Sequence, residues 1–188
     1  MLAGGAARRM GGRDKPGLVV AGRTLLDSVL AAARPECAVL VVVGPPRPTT
    51  VAGVVTVAEP VPGGGPVPAV RAGLAAVEGA GPVSVVLVLA ADLPLLRTDH
   101  LARLVVAVDA GSAPAAAACD SAGRPVPLLA AYRAPVLAER VAHLGPDLAG
   151  VAARRLLPAD TVTIDLGDAA LNVNTPADLA RARAWPIE

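Results

Sequence analysis

The chain has 188 residues, a formal net charge of +1 and a hydrophobic content of 54%. That length suits a single domain with a proper core, and so small a net charge excludes an electrostatic grip on nucleic acid or on an anionic membrane surface. Apolar runs such as VSVVLVLAA (83–91) fall short of the ~20 residues that a membrane-spanning helix needs.

In chain order, Met1 and Leu2 read as the end of a β-strand, followed by the glycine-rich stretch LAGGAARRMGGRDK. Glycine pairs let backbone N–H groups approach a phosphate closely. Arg8, Arg9, Arg13 and Lys15 surround them, and Lys15 is the only lysine beside 16 arginines. The spacing is neither GxxxxGK[ST] nor GxGxxG, which excludes a Walker A loop and the usual dinucleotide fingerprint of an oxidoreductase. A solvated basic turn would use the same residues. A compact ammonium suits a phosphate oxygen where a bulkier guanidinium fork does not fit.

A helix is predicted over 24–33, then strands at 38–43 and 54–57. In AEPVPGGGPVPAVRAGL (58–74), Glu59 precedes a glycine loop with Gly63, Gly64 and Gly65, which opens a helix over 67–78. A carboxylate beside a helix N-terminus can read the edge of a heterocycle, and a surface turn would have the same composition. The strand at 83–90 is continuously apolar, as expected for a strand covered on both faces. It ends on Asp92, and ligands of open α/β sheets sit beyond the carboxyl ends of strands. One carboxylate there suits Mg²⁺, which takes one or two carboxylates plus phosphate oxygens and water; a turn aspartate bonded to local N–H groups is the alternative.

A helix over 98–108 follows, and CDSAGRPVPLLAAYR (119–133) reads as strand, turn, strand, so one antiparallel hairpin is expected between strands at 113–119 and 126–133. Helices at 134–144 and 147–155, a strand at 161–165 and a helix at 176–185 complete the pattern. Strand–helix alternation of this kind predicts a three-layer α/β/α fold, with a mostly parallel sheet in a single domain. Asn172 and Asn174, the only asparagines, alternate along LNVNTP and so share one face. Thr175 is a natural N-cap, with Pro176 at the first helical position and Asp178 in the first turn. Cys37 and Cys119 are too few for a disulfide framework and read as buried thiols; with no secretory signal, the expected compartment is the cytoplasm. His100 and His143 fall in helical segments and are not expected to be catalytic.

Four stretches together, LAGGAARRMGGRDK, PGGGPVPAVRAGL, AADLPLL and LNVNTPADLARAR, resemble in order and spacing the motifs of the molybdenum cofactor guanylyltransferase (MobA-like) family of nucleotidyltransferases. The resemblance implies a Rossmann-like α/β fold and Mg²⁺-dependent transfer of GMP from GTP to the molybdenum–molybdopterin cofactor, with release of pyrophosphate. It implies that Leu2, Ala3, Gly4 and Gly5 line the nucleotide site and that Arg9 and Lys15 contact the phosphates. Asp92 would hold Mg²⁺, Glu59, Gly64 and Gly65 would lie by the base, and Asn172 and Asn174 would line the acceptor side. Glu59 stands where the family usually has Asp. Transient contact with cofactor-biosynthesis proteins or molybdoenzymes is implied too. The family also has a full strand ahead of LAGG, of which only Met1 and Leu2 remain here, so a start upstream of Met1 is expected. The alternatives are cytidylyl or guanylyl transfer to another small phosphorylated acceptor, and a non-catalytic nucleotide-binding paralogue.

Overall fold

The computed structural model describes residues 1–5, 14–111 and 113–185. Eight strands and five α-helices alternate along it: β1 (Val19–Val20), β2 (Arg23–Thr24), α1 (Leu25–Ala33), β3 (Leu40–Val43), β4 (Val54–Val57), α2 (Pro66–Gly79), β5 (Val85–Leu89), α3 (Thr98–Asp109), β6 (Ala115–Cys119), β7 (Pro125–Arg133), α4 (Ala134–His143), β8 (Val162–Ile164) and α5 (Pro176–Arg183).

The sheet is layered between two sets of helices, as its burial pattern requires. Along β6 and β7 the side chains alternate between two cores. Ala116, Ala118, Leu129 and Ala131 pack with α1 and α3, whereas Ala115, Ala117, Ala130 and Tyr132 pack with α2 and α4. Ala115 to Ala118 are all fully buried, and their small side chains let helices approach the strand from both faces. Tyr132 is fully buried too, and its hydroxyl donates to the carbonyl of Pro127 at 3.1 Å.

Strand directions are mixed. β3 pairs with β4, and β6 with β8, in parallel. β7 inserts between β5 and β6 and runs antiparallel to both, so the expected hairpin is present and its second strand also reverses against β5. Between β3 and β5 lies the amino end of the chain: Leu2 makes parallel bridges to Val43 and to Ala90.

Helix ends follow their sequence. Thr24 caps α1 by accepting from the Asp27 N–H at 3.0 Å. The Asp27 carboxylate, itself buried, takes the Thr49 hydroxyl at 2.6 Å and the Thr50 N–H at 3.1 Å, fastening the β3–β4 loop to α1. Burial alone would raise its pKa, but these bonds outweigh it and hold the carboxyl below its ordinary value. α5 begins with the reciprocal Thr175–Asp178 capping box, and Leu179 and Ala182 bury against Val20, Leu25 and Val173. The helix expected over 147–155 is instead a single 3₁₀ turn, Ala153–Leu156. Gly150 sits at φ +73°, which breaks the span, and the short stretch from there to Pro158 holds only one turn. The two thiols are half-buried rather than buried.

Candidate active site

A cavity of about 600 Å³ opens beyond the carboxyl ends of the central strands, lined by residues from all four motif regions. Leu2 carries the chain out of the sheet, donating to the Leu89 carbonyl at 2.8 Å and accepting from the Ala91 N–H at 3.0 Å. The glycines that follow are therefore aimed at the end of β5. Gly44, at φ +150°, closes the other side: a Cβ there would lie 2.9 Å from the Ala3 carbonyl carbon, so only glycine allows β3 to end against this loop.

Asp92 is 9% exposed, and its carboxylate forms an ion pair with the Lys15 ammonium, although 77 positions separate them in sequence. Lys15 follows Asp14 at the start of a 3₁₀ turn, Lys15–Gly17, and donates also to Asn174 Oδ1 at 3.0 Å. Asp14 is clasped by Arg47 through contacts of 2.6, 2.9 and 3.1 Å, which fixes the residue before Lys15 to the loop after β3. On the far side, the backbone N–H of Asn174 is held by Asp178 at 2.9 Å, and Val173 N–H donates to the Asp92 carbonyl at 3.0 Å. Burial would raise the Asp178 pKa; bonds from the Thr175 hydroxyl and the Asn174 and Thr175 N–H groups, with the Lys15 charge nearby, lower it overall.

Two buried oxygens here have no hydrogen-bond partner among the described residues: Asp92 Oδ1 and Asn172 Oδ1. Such groups are costly unless a ligand or ion completes them. Both are hard oxygen donors, suited to Mg²⁺; among the described residues no group of three or more His, Cys, Asp or Glu side chains could build a protein-only metal cage.

Glu59 lies against the glycine loop, so close that a Cβ on Gly4 would sit 1.4 Å from Glu59 Oε1. Its other oxygen accepts from the Gly63 N–H at 3.3 Å. Gly65, at φ +94°, caps α2.

Of the residues singled out from sequence, Leu2, Gly4, Gly5, Lys15, Glu59, Gly65, Asp92, Asn172 and Asn174 line this cavity. Ala3 is buried behind it. Gly64 serves the turn instead, donating to the Val61 carbonyl at 2.8 Å and accepting from Gly150 at 2.8 Å. Arg9, with Arg8 and Arg13, lies outside the described residues. Gly63 of the same glycine loop lines it too, whereas sequence reasoning does not single out Ala69, Ala90, Ala91 or Leu128; small residues flanking Asp92 are the only signal these give. His100 is engaged structurally: its Nδ1 accepts from the Arg97 N–H at 3.2 Å at the start of α3.

Residues 1–164 match the MobA-like NTP transferase domain. The chain belongs to that family. It is therefore a nucleotidyltransferase, and its lysine, aspartate and glycine loop stand at the carboxyl edge of a nucleotidyltransferase sheet. It is similar to the molybdenum cofactor guanylyltransferase of Bradyrhizobium sp. (strain ORS 278), with 38% identity over 192 residues, covering 97% of this chain and 89% of the relative. Among solved structures it resembles molybdopterin-guanine dinucleotide biosynthesis protein A from Archaeoglobus fulgidus, with a TM-score of 0.67 and 22% identity over 97% of this chain and 94% of that one. It also resembles 2-C-methyl-D-erythritol 4-phosphate cytidylyltransferase from Thermus thermophilus, with a TM-score of 0.63 and 25% identity over 94% of each chain. The first of these structural likenesses bears on the fold alone.

Proposed function

We propose that the chain transfers GMP from GTP to the phosphate of a molybdenum–molybdopterin cofactor. A terminal phosphate oxygen of the acceptor attacks the α-phosphorus of GTP, the bond from that phosphorus to the bridging oxygen breaks, and pyrophosphate leaves. The observation that carries this reading is the single cavity that joins the Lys15–Asp92 pair, the Glu59–Gly4 contact and the asparagine face. Near-full-length similarity to a protein named as a guanylyltransferase supports the choice of base and acceptor.

Each residue then has a task that needs no covalent chemistry. Phosphoryl-type transfer depends on positioning and charge neutralisation. Lys15, released from Asp92 onto a phosphate oxygen, supplies a compact positive charge, and Arg9 is assigned to the same phosphates. Gly4 and Gly5 offer backbone N–H groups without a Cβ in the way. The Glu59 carboxylate is an acceptor for the N1–H and exocyclic amine of guanine, a pair of donors that cytosine does not present together. Asn172 and Asn174 receive the acceptor. Asp92, with its unpartnered Oδ1, and Asn172 would hold Mg²⁺, which supplies charge neutralisation on the triphosphate when bound. Gly64 and Ala3 support the loop from behind.

This reading carries with it a cytoplasmic setting and transient contact with the proteins that supply or receive the cofactor. No helix among the described residues is long and apolar enough to cross a membrane. The deciding test is pyrophosphate release with Mg²⁺ and molybdenum-loaded molybdopterin, offering GTP, CTP, ATP and UTP separately. Release with GTP alone is expected. Release with CTP instead replaces the guanylyl assignment by a cytidylyl one, and no release with any of the four overturns the reading.

A further inference from the structure

Lys15 reaches Asp92 and Asn174 on a flexible four-carbon stem, so the hold on its backbone decides where its charge stands. Downstream, that hold is packing: Pro16 is buried, and Leu18 lies against the cluster of Val20, Leu25 and Val173. Upstream is Asp14, the N-cap of the Lys15–Gly17 turn. An aspartate at that position ordinarily gives its carboxylate to the N–H groups of its own turn. Here it makes no such bond. The turn closes through the backbone alone, Gly17 N–H donating to the Asp14 carbonyl at 3.2 Å, and the carboxylate goes to Arg47 instead.

The grip is that of a planar fork on a carboxylate. Arg47 Nε donates to both Asp14 oxygens, at 2.9 and 3.1 Å, and Nη2 donates to Oδ1 at 2.6 Å. Nη1 donates to the Pro45 carbonyl at 3.1 Å, which folds the guanidinium back on its own loop. Pro45, Pro46 and Pro48 fix φ around it, and beyond them Thr49 and Thr50 are fastened to Asp27. Only 15% of the Arg47 side chain is exposed, unlike the solvent-washed pairs that hold little in place. Asp14 Oδ2 also stands over Gly17, where a Cβ would lie 2.7 Å from it, so the turn is bare where the carboxylate needs room. Neither Arg47 nor Asp14 is among the residues that line the nucleotide cavity.

We infer that Arg47 is a positioning residue of the nucleotidyl transfer. Through Asp14 it fixes the start of the Lys15 turn to the loop after β3, and so holds the Lys15 ammonium at Asp92. The end of β3 then sets two parts of the site at once, since Gly44 also closes against Ala3 beside Gly4. A lysine in place of Arg47 would keep the charge and lose the fork that fixes direction as well as distance. The inference rests on the assignment of Lys15 to the phosphates, and not on the choice of base or acceptor.

The test compares Arg47→Ala, Asp14→Asn, Lys15→Ala and the Lys15→Ala/Arg47→Ala double variant, all in the full chain. Each of the first two is expected to lower kcat/KM for the nucleotide by about 10–100-fold, with the melting temperature within about 4 °C of the parent. In the Lys15→Ala background, Arg47→Ala should cost less than about twofold more, because it acts through the missing ammonium. The chain's single lysine supplies a readout that needs no turnover: trinitrobenzenesulfonate labelling of Lys15, followed by peptide mass spectrometry, should run several-fold faster in Arg47→Ala and Asp14→Asn than in the parent. Should Arg47→Ala fail to fold, Asp14→Asn carries the comparison by itself. An undiminished loss from Arg47→Ala in the Lys15→Ala background would overturn the inference, since Arg47 would then act on substrate directly. Unchanged labelling of Lys15 would overturn it too. A parent chain without turnover on any nucleotide counts against the proposed function, and the labelling rates still decide this inference.

Discussion

The Met1 amino group offers a sharp test of how the fold treats its first residue. Within the sheet it donates to the Val41 carbonyl at 2.8 Å, and loss of hydration lowers its pKa from 8.0 to about 6, only partly opposed by Cys37. A basic group with a lowered folded-state pKa binds more protons in the unfolded chain, so stability rises with pH across the window between the two values. The penalty is complete below pH 6 and gone above pH 8. Two pKa units correspond to about 2.7 kcal/mol, and for a chain of this size roughly 2–4 °C accompanies each kcal/mol. Melting measured from pH 5.5 to 8.5 should therefore climb by roughly 5–11 °C. The control is the same chain acetylated at its amino end, which keeps one N–H to donate to the Val41 carbonyl but cannot be protonated. His100, whose pKa is lowered by burial and then by Arg97, adds stability loss of the same sign near pH 6, but equally in both chains. The difference between the two curves isolates the amine. If the acetylated and free chains show the same slope between pH 6 and 8, the amine is not buried as described.

Other expected outcomes concern the nucleotide site. Asp92→Asn keeps the side-chain shape while removing its charge; turnover should fall by roughly 10²–10³-fold with the melting temperature little changed, and retained Mg²⁺-dependent turnover in steady-state kinetics would remove Asp92 from the metal site. Lys15→Arg should lower kcat/KM by roughly 10–100-fold despite its retained charge, because a planar fork does not fit between Asp92 and the Asn174 oxygen; a near-normal rate would make the lone lysine an accident of composition. Gly4→Ala places a methyl group where Glu59 Oε1 sits, 1.4 Å away, and forces that flexible side chain aside. The ratio of kcat/KM for GTP over CTP should drop by about tenfold or more while stability barely moves, and an unchanged ratio in a paired-substrate assay would show that Glu59 does not read the base.

Much of this architecture is legible in local sequence, and the exceptions share a cause. The runs at Leu40–Val43, Val54–Val57 and Val85–Leu89 announce their strands by β-branched, uncharged composition, and Thr175-Pro176 announces α5. The antiparallel seating of β7 beside β5 does not follow from either strand, because pairing between Val85 and Arg133 is decided by what else competes for that edge. The short β1–β2 hairpin escapes notice because two-residue strands carry no period. In the site, the four motifs name most of the lining residues but not their contacts. Nothing local says that Lys15 meets Asp92, or that Glu59 lies on Gly4. The glycine run 63–65 cannot be ordered from sequence either. That Gly63 and Gly65 line the cavity while Gly64 does not is settled by the turn that ties Gly64 to Val61.

The seam at Leu2 has a mechanical meaning. Among the described residues, the pairing that links the β3–β4 ribbon to the four strands led by β5 runs through Leu2, with Met1 and Ala3 adding backbone bonds to β3. Glu59 follows the ribbon and Asp92 follows the other group, so the cavity straddles a join stitched by a short segment, Met1 to Ala3. A nucleotide held by both carboxylate-bearing loops would act as a clamp across that join. Its binding energy would be spent on holding the two parts of the sheet at one fixed separation, and the acceptor phosphate would meet the α-phosphorus only when that clamp is shut.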